Sequence, residues 1–245
     1  FGYERPIENK GATEGFKMKF EKIRNEACEA NKLLAASGLI AMTFGNVGVF
    51  DKNEGVFAIK PSGVEYSLLT PESMVEVDLD CKVVDGDLRP SSDTPTYAVL
   101  FKNFGVNAIV HTHSKVAVSF AQAGRAIPSL GTTHADHFYG DVPVTRKLTA
   151  SEIAGDYEAE TGKVIVERFK ELGIKPEDMP EVLVYSHGPF AWGDSGKKAV
   201  MNATALELCA QMALDTLFLN PQVSRMQQEL LDKHYLRKHG ANSYY

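Results

Sequence analysis

The sequence predicts a single α/β domain with a central, mostly antiparallel sheet and helices on both faces. The chain has 245 residues, 44% of them hydrophobic, which is enough for one substantial core. No linker rich in Pro, Gly or Ser and no internal repeat divides it. Helical patterns are interleaved with short apolar runs, several spaced as hairpins, and this mixture is typical of helices packed on an antiparallel sheet.

The first half of the chain predicts one helix, two strands and a hairpin. The helix is expected from about Thr13 to Gly38, where apolar residues recur with helical spacing. Strands are expected at 39–44 and 55–60, two short apolar runs on either side of a turn-rich stretch. The alternating segment 75–87 predicts a hairpin.

The middle of the chain predicts a helix–strand–helix succession. The first helix begins around Pro95, because proline suits the first turn of a helix. Residues 107–113 follow as a strand and residues 115–124 as another helix. The Gly- and Pro-punctuated stretch 128–144 is expected to hold short strands.

The last third predicts mostly helices. Thr149 and Glu152 have the spacing of a capping box, which opens one long helix as far as Gly173. A strand leading into a loop is expected at 181–193, and two helices follow, the second after Pro221.

Charge and composition limit the possible partners and location. The net charge of −6, with both signs mixed, disfavours a nucleic-acid-binding protein, which needs a concentrated basic face. The locally basic segment 233–240 is either a solvated helix end or a contact for an anionic small molecule. No apolar run reaches ~18 residues, so we expect no membrane span.

The three cysteines are far apart and form no CxxC pair, which is typical of a reducing compartment and predicts a cytoplasmic protein. We expect residues 1–17 to be an N-terminal arm and residues 18–245 to be the domain.

A candidate metal site begins with the stretch IVHTH at 109–113. Successive strand side chains alternate between faces, so His111 and His113 are expected on the same face. A second apolar run ends in His187, and Asp93 precedes the helix before the first histidine pair. Three imidazoles and a carboxylate suit a catalytic zinc site. Each has an ordinary alternative, with Asp93 as a helix cap and His187 as an edge histidine.

Longer motifs resemble a known family. They are, in order, KPSG (60–63), RPSSDTPTY (89–97), IVHTHS (109–114), AQAG (121–124), IPSLGTTHAD (127–136), GDYEAETGKVI (155–165), HGPFAWG (187–193) and LDKHYLRKHGANSYY (231–245). Together they resemble the class II aldolase/adducin family over about residues 18–245. The resemblance implies an antiparallel α/β fold and a homotetramer with active sites between subunits.

The resemblance also implies roles for particular residues. One zinc ion per subunit is expected on Asp93, His111, His113 and His187. The substrate phosphate is expected on Asn46, Lys60, Ser62, Gly63, Ser91 and Ser92.

The family's acid/base residues correspond to Asp136 and to Tyr245, the latter from the neighbouring subunit. His234 and Arg237 correspond to residues that the neighbour supplies near the phosphate, and Thr132 and Glu158 to residues lining the same region. In other contexts Asp136 is an ordinary turn carboxylate and Lys60 an ordinary surface lysine.

The implied activity is zinc-dependent interconversion of L-ribulose 5-phosphate and D-xylulose 5-phosphate, epimers shared by arabinose and ascorbate breakdown. The C4 hydrogen of this pentulose is not adjacent to the carbonyl, so simple proton abstraction cannot invert C4. Cleavage and re-formation of the C3–C4 bond, with the aldehyde fragment turned over between the two steps, can invert it. A metal ion would stabilise the enediolate charge, and two acid/base groups on opposite sides would serve the C4 oxygen.

Two alternatives remain within the family. A phosphoaldolase such as L-fuculose-phosphate aldolase would release the fragments, but these enzymes typically have Glu where this chain has Asp93. An adducin-like scaffold lacks the metal histidines that are present here. The chain also departs from the family pattern at Gly48, where a lost hydroxyl is expected to loosen the phosphate loop, and at His137, where tyrosine is common.

Overall fold

The computed structural model describes residues 18–240 and residue 243 and is built around one seven-stranded sheet. Its strands are β1 (Asn46–Asp51), β2 (Val56–Ile59), β3 (Val75–Asp78), β4 (Val83–Asp85), β5 (Ala108–His111), β6 (Glu181–Leu183) and β7 (Pro189–Gly193). The spatial order is β4-β3-β2-β1-β5-β7-β6. Every neighbouring pair is antiparallel, so the predicted fold class is confirmed.

Eight helices are present in the described part of the chain, besides two short 3-10 turns. They are α1 (Glu21–Ala36), α2 (Thr94–Phe104), α3 (Lys115–Ala123), α4 (Thr132–Ala135), α5 (Ala150–Ala154), α6 (Tyr157–Leu172), α7 (Gly196–Leu219) and α8 (Gln228–His239). Within residues 18–240 we find no helix with the length and apolarity to cross a membrane.

The sheet is covered on both faces, because residues of β5, which pairs with the central strand β1, alternate between two hydrophobic clusters. Ile109 of β5 belongs to the cluster that includes residues of α2, α3 and α6. Ala108 and Val110 belong to the cluster on the other face, which includes residues of α1. Helix α7 contributes to both clusters, its first turns to one and its later turns to the other. The two-sided arrangement agrees with the sequence prediction.

Three predictions in the first half of the chain were wrong. Helix α1 begins at Glu21 rather than near Thr13, because Phe20 has the left-handed φ of 55° and interrupts helical geometry. The stretch 39–44 is not a strand; Met42 also has a positive φ, of 58°. The segment expected to be a turn contains β1 instead. The proposed arm at residues 1–17 lies outside the described residues.

Two further predictions in the second half need correction. The stretch 128–144 forms only isolated bridges, such as Ile127 with Val142, together with the short α4. The long helix predicted at 149–173 is two helices, α5 and α6, because Gly155 has a backbone conformation (φ −92°, ψ −132°) outside the helical region. Its capping box, formed by Thr149 and Glu152, is confirmed.

Gly48 lies in the middle of β1 and not in a loop, which changes the meaning of this departure from the family pattern. A Cβ atom at this position would lie 2.7 Å from Cδ2 of the buried Tyr97 ring. The hydroxyl of Tyr97 donates to the Asn46 carbonyl at 2.9 Å. The missing side chain therefore leaves room for a tyrosine that holds β1 against α2, and the expected loosening of the phosphate site stays a prediction.

Candidate metal centre and substrate cavity

Three histidines meet at one end of the paired strands β5 and β7. His111 is the last residue of β5, His113 follows two residues later, and His187 lies in the turn between β6 and β7. Strand β5 pairs with β7, with His111 opposite Phe190, and this pairing brings the β6–β7 turn beside the end of β5. One nitrogen from each ring lies within 4.8 Å of the others.

The spacing of these nitrogens fits a metal ion. The Nε2 atoms of His111 and His113 are 3.0 Å apart. Two nitrogens bound tetrahedrally to zinc at about 2.0–2.1 Å would be about 3.3 Å apart, so the ligands need little movement. Nδ1 of His111 lies 2.9 Å from the Pro189 carbonyl oxygen, which can only accept a hydrogen bond. Nδ1 therefore carries the proton, and Nε2 is left free to bind a metal.

The surroundings keep two of these imidazoles unprotonated. Burial, together with the neighbouring His111 and His113 rings, lowers the pKa of His187 to about 4. Burial also lowers the pKa of His113, and His111 adds to the effect. Neutral imidazole is the form that binds metals, so protons compete weakly for His113 and His187 near neutral pH.

Asp93, the predicted fourth ligand, lies in the same cavity but outside the group of three histidines. It is the N-cap residue of α2. Its Oδ2 accepts a hydrogen bond from Nδ2 of Asn46 at 2.6 Å. The carboxylate is thus oriented by a strand neighbour of His111, and its role as a ligand stays a prediction.

The histidines line a cavity of about 400 Å³ that also contains most of the predicted phosphate residues. The predicted substrate-binding residues in its wall are Asn46, Lys60, Ser62, Gly63, Ser91, Ser92 and Glu158. Ser91 and Ser92 immediately precede α2, where backbone N–H groups and the helix dipole favour an anion. The cavity therefore places an anion-binding wall beside the candidate metal centre.

Lys60 is the cation of this wall and is only 3% exposed. Its Nζ donates to the Pro61 carbonyl at 3.3 Å and lies 4.9 Å from the centre of the Tyr66 ring. Within residues 18–240 it forms no ion pair with a carboxylate, and burial lowers its pKa. A bound phosphate would provide a negatively charged partner for the Lys60 ammonium.

Two aromatic residues of the cavity were missed in the sequence. Tyr157 lies beside the predicted Glu158, and its hydroxyl is 3.3 Å from Nδ1 of His187. Burial raises the pKa of Tyr157. The Phe44 ring stacks on His113, with centroids 5.6 Å apart. The motif GDYEAETG drew attention to the carboxylate alone, and nothing in the sequence around Phe44 separates it from an ordinary core residue.

Residues 25–214 match the family described as the class II aldolase and adducin N-terminal domain. The chain belongs to this family.

Its relatives in the class II aldolase family include both epimerases and aldolases. The chain is 46% identical over 226 residues to a protein named L-ribulose-5-phosphate 4-epimerase UlaF from Salmonella paratyphi C, covering 92% of this chain and 98% of the relative. The structure resembles an L-fuculose 1-phosphate aldolase with a TM-score of 0.74 at 22% identity, covering 90% and 97% of the two chains. It also resembles the L-fuculose-1-phosphate aldolase of Thermus thermophilus, with a TM-score of 0.61 at 25% identity, covering 83% and 99%.

Those remaining predicted site residues of this class II aldolase family member that the structure describes lie away from the metal cavity. Asp136 ends α4 and contacts α8, where Nη2 of Arg237 donates to both carboxylate oxygens at 2.9 Å. Nδ1 of His234 lies 3.0 Å from Oδ1 of Asp136. Thr132 lines a separate cavity of about 350 Å³. Tyr245 lies outside the described residues.

The Asp136 cluster is near the opposite end of β5 from the histidines. The adjacent His137 lines a third cavity with Val106, before the start of β5, and with Gly193, at the end of β7. Burial tends to raise the pKa of Asp136, but hydrogen bonds from Arg237 and His234 outweigh it and lower the pKa overall. Asp136 is therefore an ionised carboxylate near neutral pH that does not face the metal cavity of its own chain.

Proposed function

We propose that this protein interconverts L-ribulose 5-phosphate and D-xylulose 5-phosphate by breaking and re-forming the C3–C4 bond. The observation that carries the proposal is the cavity in which three clustered imidazoles adjoin an anion-binding wall. The 46% identity to a relative named for this reaction, over 98% of that relative, supports the substrate and the reaction. The proposed enzyme is a cytoplasmic isomerase of carbohydrate metabolism.

The proposed cofactor is one zinc ion per subunit, held by His111, His113 and His187 with Asp93 as the fourth ligand. The short distance between the Nε2 atoms of the first two histidines supports a single shared ion. When bound, such an ion acts as a Lewis acid that stabilises the negative charge developing as the C3–C4 bond breaks. The hydrogen bond from Asn46 holds the Asp93 carboxylate in one orientation.

The anion-binding wall serves to retain the aldehyde fragment. The Lys60 ammonium, the hydroxyls of Ser62, Ser91 and Ser92 and the backbone around Gly63 would hold the phosphate. A fragment tethered at its phosphate can turn its aldehyde over without leaving the cavity. Re-formation of the bond to the other aldehyde face then gives the C4 epimer.

The proposed acid/base groups are Asp136 and Tyr245, which would remove and return the proton of the C4 hydroxyl on opposite sides. Because Asp136 lies with His234 and Arg237 away from the cavity of its own chain, we propose that this cluster completes the cavity of a neighbouring subunit. Thr132 would join it there. The proposed assembly is a homotetramer with active sites at the subunit interfaces.

The test is incubation of the zinc-loaded protein with L-ribulose 5-phosphate, followed by carbon NMR. We expect D-xylulose 5-phosphate to appear without free glycolaldehyde phosphate. A His113→Ala variant is the control and should show no turnover. No turnover by the zinc-loaded wild-type protein would contradict the proposed reaction.

A second candidate function is aldol cleavage with release of both fragments. It is favoured by the structural likeness to L-fuculose-phosphate aldolases, whose fold this chain shares. The same NMR experiment separates the two functions, since an aldolase would accumulate free glycolaldehyde phosphate.

A further inference from the structure

The Tyr157 hydroxyl forms a hydrogen bond with His187, the third histidine of the candidate metal centre. Tyr157 is the first residue of α6 and lines the cavity. Its hydroxyl oxygen lies 3.3 Å from Nδ1 of His187, and the two rings are 6.1 Å apart. Thr161 donates to the Tyr157 carbonyl at 2.9 Å, and Thr96 of α2 donates to the Glu158 carbonyl at 2.6 Å. The bond from Thr96 holds the start of α6 against α2, and the bond from Thr161 braces the first turn of α6, where the tyrosine lies.

The direction of the bond between Tyr157 and His187 depends on which nitrogen of the imidazole has a proton. A neutral imidazole has one N–H, so a histidine that binds a metal through Nε2 must carry its proton on Nδ1. The Nδ1–H of His187 then donates, and the tyrosine oxygen accepts. A hydroxyl that accepts at its oxygen keeps its own proton for a different acceptor.

His111 offers an informative contrast. Its Nδ1 lies 2.9 Å from the Pro189 carbonyl oxygen, which has no proton to give. The proton of His111 therefore stays on Nδ1 whether or not a metal is present. Tyr157 can both donate and accept, so its bond to His187 can reverse while the bond of His111 cannot.

We propose that Tyr157 positions His187 for metal binding and, once the metal is bound, donates a hydrogen bond from its hydroxyl to an oxygen of the sugar phosphate in the cavity. In the metal-free protein the hydroxyl can donate to Nδ1 of His187. When a metal occupies Nε2, Nδ1–H of His187 becomes the donor and the tyrosine oxygen the acceptor. The hydroxyl can then donate a hydrogen bond to a hydroxyl or carbonyl oxygen of the substrate. The inference rests on the metal site of the proposed function but not on the epimerisation itself.

The experiment compares the zinc affinity of wild-type protein and Tyr157→Phe by competition with a chelator. Removing a hydrogen-bond partner of a metal-bound histidine weakens metal binding by about 10–100-fold, and we expect a loss in this range. Tyr139→Phe is the matched control, because the Tyr139 hydroxyl donates to Oδ1 of Asp232 in α8 at 2.6 Å and Tyr139 does not line the metal cavity. Its zinc affinity should equal that of the wild type.

A second measurement is nitrogen NMR of the zinc-loaded wild-type protein. We expect a proton on Nδ1 of His187 and zinc on Nε2. Unchanged zinc affinity in Tyr157→Phe, or an unprotonated Nδ1 in the zinc-loaded protein, would overturn the proposal. Failure of the wild-type protein to bind zinc would overturn both this proposal and the proposed metal site. Zinc binding without turnover of L-ribulose 5-phosphate would overturn the proposed epimerisation only. The zinc affinities of the wild type and Tyr157→Phe could still be compared, so the role of Tyr157 would still be tested.

Discussion

At the scale of single residues, burial lowers the pKa of His134. His134 of α4 is 5% exposed, and its Nε2 lies 2.7 Å from the Gly140 carbonyl oxygen. Burial lowers its pKa more than this bond and Asp141 raise it. The folded chain therefore holds His134 neutral at a pH where the unfolded chain takes up a proton.

This difference predicts a pH dependence of stability. The contribution of His134 is complete above the unfolded pKa of about 6.5 and is lost as the pH falls towards the lower folded pKa. The free energy of unfolding of the wild type should thus fall between pH 7 and pH 5 more steeply than that of His134→Gln, in which the amide can still donate to Gly140. The loss is about 1.4 kcal/mol per unit of pKa difference. Urea unfolding at several pH values measures it, and parallel pH curves would contradict it.

At the scale of elements, the cavity depends on close packing of strands and helices. Because β5 pairs with β7, His111 at the end of β5 and His187 in the β6–β7 turn lie at the same end of the sheet. The pairing of β1 with β5 sets Asn46 opposite His111. Tyr97 of α2 packs over Gly48 and bonds to the Asn46 carbonyl, so this contact joins the strand that carries Asn46 to the helix that follows Asp93.

A Gly48→Ser substitution tests this packing. The new side chain would meet the Tyr97 ring, and overpacking of a core typically costs about 1–3 kcal/mol of stability. We expect a loss of that size in urea unfolding, with weaker zinc binding because Asn46 and Asp93 shift. Gly131→Ser is the control, since a Cβ atom there has no neighbour within 4 Å and the backbone is extended (φ −154°). Equal stability of the two variants would argue against a packing role for Gly48.

At the scale of the whole molecule, the candidate residues form two groups that one chain does not bring together. The histidines and the anion-binding wall surround one cavity, while Asp136, His234 and Arg237 form a separate cluster. An active site built from both groups requires two copies of the chain.

Mixing two inactive variants tests this arrangement. His113→Ala damages the metal group and Asp136→Asn damages the other group, so each should be inactive alone. In an assembly that exchanges subunits randomly, about a quarter of the sites would combine an intact half from each variant. We expect recovery of epimerase activity towards that fraction after mixing and reassembly. Mixtures that stay inactive, while wild-type subunits reassemble with full activity, would show that the two groups do not share a site.

The sequence by itself determined the fold class, most helices and the identity of the three clustered histidines. Alternating and helical spacings report which side a residue faces within its own element, and this local information places His111 at a strand end. The sequence misplaced β1 because glycines suggest turns. Gly48 instead lies in a strand, where the absence of a side chain leaves room for the Tyr97 ring of α2.

Only the tertiary structure decided which predicted residues share a cavity. The bond between Tyr157 and His187 and the stacking of Phe44 on His113 join residues far apart in the chain. The separation of Asp136 from the histidines likewise follows from strand order and helix placement. The spacing of residues along the chain determines which side of a helix or strand each residue faces. The distances between residues of different elements depend on tertiary packing, which local sequence patterns do not contain.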